Sequence, residues 1–137
     1  TLKDIKKGND YLKKYMGTFK AGTETAQYHF SVYMIGMNSY NTMVAEIEAK
    51  GLKTKIKELN AYAASCSDVE KYLVQTIKAP AQKWTEDAFY NLGIYYIYKG
   101  EKAKAKETIE KLIATYPQST KIEDYKGVLN NAIAKMK

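Results

Sequence analysis

The sequence predicts an all-α protein of about eight amphipathic helices packed as antiparallel hairpins. Apolar residues recur at three- and four-residue spacing along most of the chain. The two prolines, Pro80 and Pro117, fall where this spacing stops, and no segment alternates strictly between apolar and polar residues. With 137 residues, 45% of them hydrophobic, the chain is long enough to bury a core, so we expect residues 1–137 to form one domain.

The first two helices are predicted from an apolar stripe and from turn residues. Leucine, isoleucine, methionine and phenylalanine at helical spacing indicate a helix over about residues 2–19, with Gly17 and Gly22 bracketing its end. Thr23 is placed to cap a second helix over about residues 24–37. The apolar segment HFSVYMIGM within it is too short for a bilayer span and predicts a buried helix.

Three further helices are predicted up to the first proline. The polar stretch GMNSYN predicts a turn into a third helix over about residues 40–50, which Gly51 ends. Ser67 and Glu70 have the spacing of a capping box and predict the start of a fifth helix. The fourth helix lies between the third and the fifth and is indicated by an apolar stripe: Leu52, Ile56, Leu59 and Ala63.

The C-terminal part shows the clearest helical pattern. Thr85 is expected to cap a helix that reaches about Lys99, and Gly100 is expected to turn the chain. A second helix follows over about residues 101–115 and ends before a proline. A last helix is predicted over about residues 119–136.

The order and spacing of seven residues in this region resemble the tetratricopeptide repeat: Phe89, Leu92, Gly93, Tyr96, Ala105, Ile109 and Pro117. The small residues Gly93 and Ala105 would let two antiparallel helices approach closely. The resemblance implies a helical hairpin and a following capping helix over residues 81–137. The same template does not fit residues 1–80, where Ser31 is the candidate for a small crossing residue, so these helical hairpins are of unknown family.

The helix that begins near Thr85 is apolar on a second arc, about 130° around from the first if each residue turns about 100°. In tetratricopeptide proteins this arc lines a groove that receives a peptide or helix. The resemblance therefore implies that partner binding uses four residues: Tyr90, Ile94, Ile97 and Tyr98. The alternative is that they pack against other helices of the same chain. Because Tyr90 and Ile94 occupy the positions of the family's lysine and asparagine clamp, an acidic-tail adaptor is not expected.

The net charge of +7 comes from lysine alone, since all 22 basic residues are lysines. Nucleic-acid recognition is disfavoured, because it relies heavily on the planar guanidinium group of arginine. The first helix carries a lysine-rich face, and its candidate contacts to an anionic membrane surface or an acidic partner are Lys6, Lys7, Lys13 and Lys14. Membrane-surface or nucleic-acid binding through this face is the alternative function; the oligomeric state is left open.

No pattern in the sequence predicts catalysis, a metal site or a cofactor. His29 is the single histidine and Cys66 the single cysteine, and neither belongs to a cluster with ligand spacing. We therefore expect a non-catalytic scaffold that binds a partner protein. The Lys, Tyr and Asn bias is typical of AT-rich, spirochaete-like bacterial genomes, and the start at Thr1 without a leader predicts a piece of a longer protein. A role in a bacterial envelope assembly, in the periplasm or at a membrane, is the favoured interpretation.

Overall fold

The computed structural model describes residues 2–20 and 25–137, and within these ranges it is helical and contains no strand, so the all-α prediction is confirmed. A 3-10 turn, Leu52–Thr54, precedes α3, and the last α-helix continues into a π-helical segment, Val128–Ile133. The α-helices are α1 (Leu2–Met16), α2 (Ala26–Ala49), α3 (Ile56–Ser65), α4 (Ser67–Lys78), α5 (Thr85–Lys99), α6 (Lys102–Thr115) and α7 (Ile122–Gly127).

The connection between α1 and α2 is described only in part. Helix α1 ends next to Gly17, as the sequence predicts. Gly22 and Thr23 lie outside the described residues. Thr25 caps α2, because its hydroxyl accepts a hydrogen bond from the backbone N–H of Tyr28 at 3.3 Å.

The predicted turn at GMNSYN is wrong, since α2 runs through this stretch as one helix of 24 residues. Its polar side chains are satisfied across the contact with α1. The side-chain amide of Asn38 donates to Asn9 Oδ1 at 3.0 Å, and Asn9 Nδ2 donates to Ser39 Oγ at 3.4 Å. Asn9 is itself buried. Because these partners lie 29 and 30 positions away, no local pattern reveals them, and the described part of the chain has seven α-helices rather than eight.

The predicted capping box of α4 is also wrong. Only Cys66 separates α3 from α4, so Ser67 is the first residue of α4 and the capping position belongs to Cys66, without a side-chain hydrogen bond. The carboxylate of Glu70 instead accepts hydrogen bonds from Tyr96 and Lys99 of α5. A one-residue connection leaves no room for the extended capping geometry.

The C-terminal helices begin and end close to the predicted positions. Thr85 is the first residue of α5 rather than its cap, and its hydroxyl accepts a hydrogen bond from the backbone N–H of Gln82 at 2.8 Å. Gly100 has a φ of 83°, which fits the predicted turn. The last helix is shorter than predicted: with its π-helical segment it covers residues 122–133.

Helix α5 lies at the centre of the packing. It contacts α6, α4, α3 and, over a smaller area, α2, whereas α1 packs against α2 and the last helix packs against α6. Helices α2 and α5 run in the same direction, because Tyr33 meets Trp84 near the start of both and Met37 meets Asn91 farther along. The central position of α5 explains its apolar character on several sides.

Two helix pairs cross at a buried glycine. We number the pairs in chain order: α2 and α4 form the first pair, and α5 and α6 form the second. In the second pair, a Cβ added to Gly93 would lie 2.9 Å from Ile109 Cγ1. In the first pair, α2 and α4, a Cβ added to Gly36 would lie 2.8 Å from Leu73 Cδ2 and 3.2 Å from the Leu73 backbone nitrogen. At Gly36 the backbone of α4 itself comes close, whereas at Gly93 the nearest atoms of α6 belong to side chains. The crossing residue of the N-terminal half is Gly36, not Ser31.

Candidate functional site

The first apolar arc of α5 forms the seam of the second pair, as its spacing predicts. Phe89, Leu92 and Tyr96 are at most 6% exposed. On α6, Ile109 and Leu112 are fully buried in the same core. This arc is committed to internal packing and is closed to a partner.

Tyr95 is a core residue that the two-arc prediction missed. Its side chain is fully buried, and its hydroxyl donates a hydrogen bond to the backbone carbonyl of Ala63 in α3 at 3.0 Å. Burial raises the pKa of Tyr95 to about 12. The only sequence signal is an aromatic residue on a third side of the helix, outside both arcs. It does not reveal that a segment 32 positions upstream covers that side.

The four predicted binding residues are all partly exposed, and they fall into two regions. The Tyr90 ring lies 5.4 Å from the ring of Tyr125 in α7, so Tyr90 also contacts the last helix of the same chain. Ile94 is half-buried one turn farther along α5. Ile97 and Tyr98 border a cleft at the C-terminal end of α5. Internal packing covers part of this second arc and leaves part of it accessible.

Helix α2 extends the surface around Tyr90 and Ile94. Burial, with smaller contributions from Tyr98 and Tyr90 nearby, raises the pKa of Tyr40 well above its usual range. Tyr40 lies on the same face of α2 as Tyr33 and Met37, and all three are partly buried against the core. Asn91 Nδ2 of α5 approaches the Met37 sulfur at 3.2 Å. We call this surface the aromatic groove; it comprises Tyr33, Met37, Tyr40, Tyr90 and Ile94.

The aromatic groove is partly visible in the sequence. Its α5 residues follow from helical spacing and from the family resemblance. Its α2 residues, Tyr33, Met37 and Tyr40, recur at three- and four-residue spacing, which is a helical signal. Their contact with α5 was not predicted, because the prediction placed two separate helices where the structure has α2.

A cleft of about 540 Å³ lies where the C-terminal end of α5 meets α3 and the last helix. The 3-10 turn and α3 form one wall, and the residues that follow the π-helical segment form the opposite wall. Ile56 in the first wall is 61% exposed, which is unusual for a large apolar side chain in this molecule. We call it the lysine cleft; its lining includes Lys53, Ile56, Asn60, Ile97, Tyr98, Lys135, Met136 and Lys137.

An ion-pair cluster around Glu70 ties α4 to α5 and α6. The Glu70 carboxylate accepts hydrogen bonds from the Tyr96 hydroxyl at 2.8 Å and from Lys99 at 3.3 Å, and Lys104 lies 3.6 Å away. Burial opposes ionisation of Glu70, but these partners outweigh it and hold its pKa below the usual range. The cluster is satisfied within the chain, so its role is structural.

The lysines of α1 do not all face solvent. Lys6, Lys7 and Lys14 are exposed. The Lys13 ammonium forms an ion pair with Asp68 at 3.0 Å and lies 5.5 Å from the centre of the Tyr72 ring. The hydrogen bond to Asp68 raises the pKa of Lys13. Lys13 therefore helps to attach α1 to α4. The other three predicted surface contacts, Lys6, Lys7 and Lys14, have exposed side chains.

The histidine and the cysteine occupy unrelated positions. His29 lies against Tyr28 with an edge-on ring contact, and the Cys66 thiol lies 3.4 Å from the backbone carbonyl of Tyr62. Residues 2–20 and 25–137 contain no group of three or more side chains placed to hold a metal ion. Within the same ranges, none of the helices has both the length and the apolar character needed to cross a bilayer.

Residues 87–119 match the family model of the tetratricopeptide repeat. The match covers α6 and most of α5, together with the turn at Gly100. The second pair is thus a tetratricopeptide-like repeat, as the residue pattern predicts. No curated protein and no solved structure is similar enough to this chain to be matched to it.

Proposed function

We propose that this protein is a non-catalytic scaffold that binds a segment of a partner protein in the aromatic groove. A tetratricopeptide repeat suggests a role in protein–protein interaction. The observation that carries the proposal is the groove itself, where two parallel helices bring partly exposed aromatic and apolar side chains together beside the repeat. Ile97 and Tyr98 continue this surface toward the lysine cleft.

The chemistry of the groove favours a partner with hydrophobic anchors. Tyrosine offers a large, rigid contact area at low entropic cost, and methionine adapts its shape to different partners. An amphipathic helix or an extended segment with apolar side chains fits such a surface. The Lys, Tyr and Asn bias is typical of AT-rich bacterial genomes, and we propose that the partner belongs to a bacterial cell-envelope assembly.

A second candidate function is binding to an anionic surface through α1. One observation favours it: Lys6, Lys7 and Lys14 are exposed on the same helix. Such a face is attracted to acidic headgroups or phosphates, and its affinity falls steeply with added salt. The two functions use different residues and can be separated by mutation.

The test is capture of a partner from the soluble and membrane fractions of source cells. Ile94→Lys introduces a charge into the groove while leaving the Tyr90 contact with Tyr125 in place. Ala114→Lys makes the same kind of change at an exposed position of α6 and serves as the control. Far-ultraviolet circular dichroism confirms that both variants keep their helices.

We expect one specific protein to be captured by the wild type and by Ala114→Lys but lost with Ile94→Lys. Identical captures by all three would sink the groove proposal. A triple variant, Lys6→Glu with Lys7→Glu and Lys14→Glu, tests the second function with vesicles of phosphatidylserine and phosphatidylcholine. Loss of vesicle binding in this triple variant alone would favour the surface-binding role.

A further inference from the structure

We propose that the lysine cleft selects the partner by binding an acidic segment that carries one large apolar side chain. The proposal rests on the scaffold function above and names the chemistry of the segment that function requires. The apolar side chain enters the cleft beside Ile56, Ile97 and Tyr98, and neighbouring carboxylates meet the lysines at the rim.

Of the apolar residues that line the cleft, Ile56 is the exposed one. Leu59 is buried, and Ile97 and Met136, which follows the last helix, are partly buried against the core. Ile56 projects from the wall and remains 61% exposed. Covering such surface with an aliphatic or aromatic side chain removes apolar area from water, which is the main driving force for association.

The charged side chains that line the cleft are of one sign. They are three lysines, and no aspartate or glutamate lies among the lining residues. Lys53 is already paired with Glu48 at 2.6 Å. Lys135 and Lys137 are exposed, and within the described part of the chain their ammonium groups form no ion pair. The complementary ligand therefore carries negative charge next to its apolar anchor.

The wall of the cleft is a feature of this chain rather than of the repeat. It comes from the residues inserted between α2 and α4, and two contacts hold it against the second pair. The Ala63 carbonyl accepts the hydrogen bond from Tyr95, and the Asn60 side chain lies where a Cβ on Gly100 would come within 2.7 Å of Nδ2. A wall fixed in this way is pre-organised, which lowers the entropic cost of binding.

The shape of the site favours a peptide over a lipid surface. Ile56 stands in the side of a concave cleft, between the inserted turn and the last helix. A concave site surrounds a single extended or helical segment, whereas a flat membrane reaches only the rim lysines. Vesicle binding is therefore an outcome of the test that contradicts the proposal.

The experiment follows backbone amide shifts by nuclear magnetic resonance on the whole chain during titration with two pools of dodecapeptides. One pool contains random sequences of glutamate and leucine, and the other replaces glutamate by lysine. We expect the acidic pool to shift the amides of Ile56, Asn60 and Gly100, and the basic pool to leave them unchanged. Equal shifts from both pools, or none at millimolar concentration, would overturn the proposal.

Two variants separate the apolar and the charged contributions. Ile56→Asp should abolish the shifts, and its exposed position means that the fold is kept. Lys135→Glu should weaken binding about fivefold at low salt, as expected for one surface charge. Lys111→Glu, at an exposed position of α6, is the matched control and should bind like the wild type.

The captured partner distinguishes this proposal from the scaffold function on which it rests. Loss of the partner with both Ile94→Lys and Ile56→Asp supports both. Loss with Ile94→Lys but full capture with Ile56→Asp refutes the role of the cleft and leaves the scaffold function standing. If the wild type binds phosphatidylserine vesicles and the Ile56→Asp variant does not, the cleft is a membrane contact instead.

Discussion

In both helix pairs the helices cross at a buried glycine, but the connections between the helices differ in length. In the second pair, Gly93 and Ile109 are 16 positions apart, and a turn of two residues, Gly100 and Glu101, joins the helices. In the first pair, Gly36 and Leu73 are 37 positions apart, so 21 additional residues lie between the contacts. The extra chain forms the end of α2, the 3-10 turn and α3.

The comparison shows that the seam depends on local spacing and not on the connection. Val32, Ile35 and Gly36 in α2 repeat the spacing of Phe89, Leu92 and Gly93 in α5, and all six are buried. On the opposing helices, Val69 and Leu73 repeat the spacing of Ala105 and Ile109. The two seams therefore share one spacing of buried residues, while the inserted chain is available to build the wall of the lysine cleft.

The largest expected effect comes from truncating the residue opposite each glycine. Leu73→Ala and Ile109→Ala each remove a fully buried side chain, and each should lower the free energy of unfolding by about 3 kcal/mol. Urea denaturation followed by circular dichroism measures both. If the pairs form one cooperative unit, each variant shifts a single transition; two separate transitions would show that the pairs unfold independently.

Alanine substitutions at the two glycines should have different effects on stability. A Cβ at Gly36 meets the backbone nitrogen of Leu73 at 3.2 Å, which cannot move without shifting α4. Around a Cβ at Gly93 the nearest atoms all belong to α6 side chains, with Ile109 Cγ1 at 2.9 Å, so they can shift without moving the α6 backbone. Alanine also favours a helix over glycine by up to about 1 kcal/mol.

We therefore expect Gly36→Ala to destabilise by about 1–2 kcal/mol and Gly93→Ala to change stability by less than about 1 kcal/mol. Urea midpoints with unchanged slopes report both values. A larger stability loss for Gly93→Ala than for Gly36→Ala would mean that α4 shifts at a lower energetic cost than the Ile109 side chain. The backbone contact at Gly36 would then not control the crossing distance.

Tyr95→Phe tests the bond between the inserted wall and the second pair. Removing the hydroxyl deletes one hydrogen bond to the Ala63 carbonyl, which keeps the bond from the Cys66 backbone N–H at 3.0 Å, at a cost of about 1 kcal/mol. The wild type should also lose stability above pH 10, because Tyr95 ionises near 10 in the unfolded chain and near 12 in the folded one. This contribution is fully present below pH 10 and disappears toward pH 12.

The variant should therefore lose less stability than the wild type between pH 10 and 12 in urea titrations. Tyr11→Phe, at a side chain 74% exposed, is the control and should behave like the wild type. Equal alkaline losses in the wild type and in Tyr95→Phe would contradict burial as the cause of the shift.

The smallest expected effect concerns Glu70, whose carboxylate joins the two pairs. Its pKa in the folded chain lies below the ordinary 4.5, so its contribution to stability is present above about pH 4.5 and is lost as the pH falls through the folded value. Glu70→Gln should cost about 0.5–1 kcal/mol near neutral pH and less in acid. Unfolding in urea at several pH values measures this, with the exposed Glu107→Gln as control. A cost that stays constant into acid would exclude the ion pairs as its source.

Most of the second pair could be predicted from the sequence because its determinants are close together. Gly93, Gly100 and Ala105 fall within one 34-residue period, so spacing alone locates the turn and the seam. In the first pair the same determinants are interrupted by the insertion, and a template of fixed length cannot align Gly36 with Leu73. The resemblance was therefore limited to the part of the chain without an insertion.

The errors in the N-terminal half have a common physical cause, which is satisfaction of polar groups by distant partners. Asn38 and Ser39 look like turn residues, but Asn9 of α1 satisfies them inside a helix. Glu70 looks like a capping residue, but Tyr96 and Lys99 take its carboxylate. The α2 side of the aromatic groove and the wall of the lysine cleft were missed for the same reason, since both depend on contacts between segments far apart in sequence.

The π-helical segment Val128–Ile133 sets the angular position of everything that follows it. Its wider turns rotate the chain less per residue than an α-helix does. In a regular α-helix, eight residues overshoot two full turns by about 80°, so Tyr125 and Ile133 would point in different directions. The slower rotation brings both side chains into the core, where each is 1% exposed. Lys135 and Met136 follow this segment and line the lysine cleft with Ile97 of α5, so the rotation of one irregular turn affects the position of one wall of the cleft.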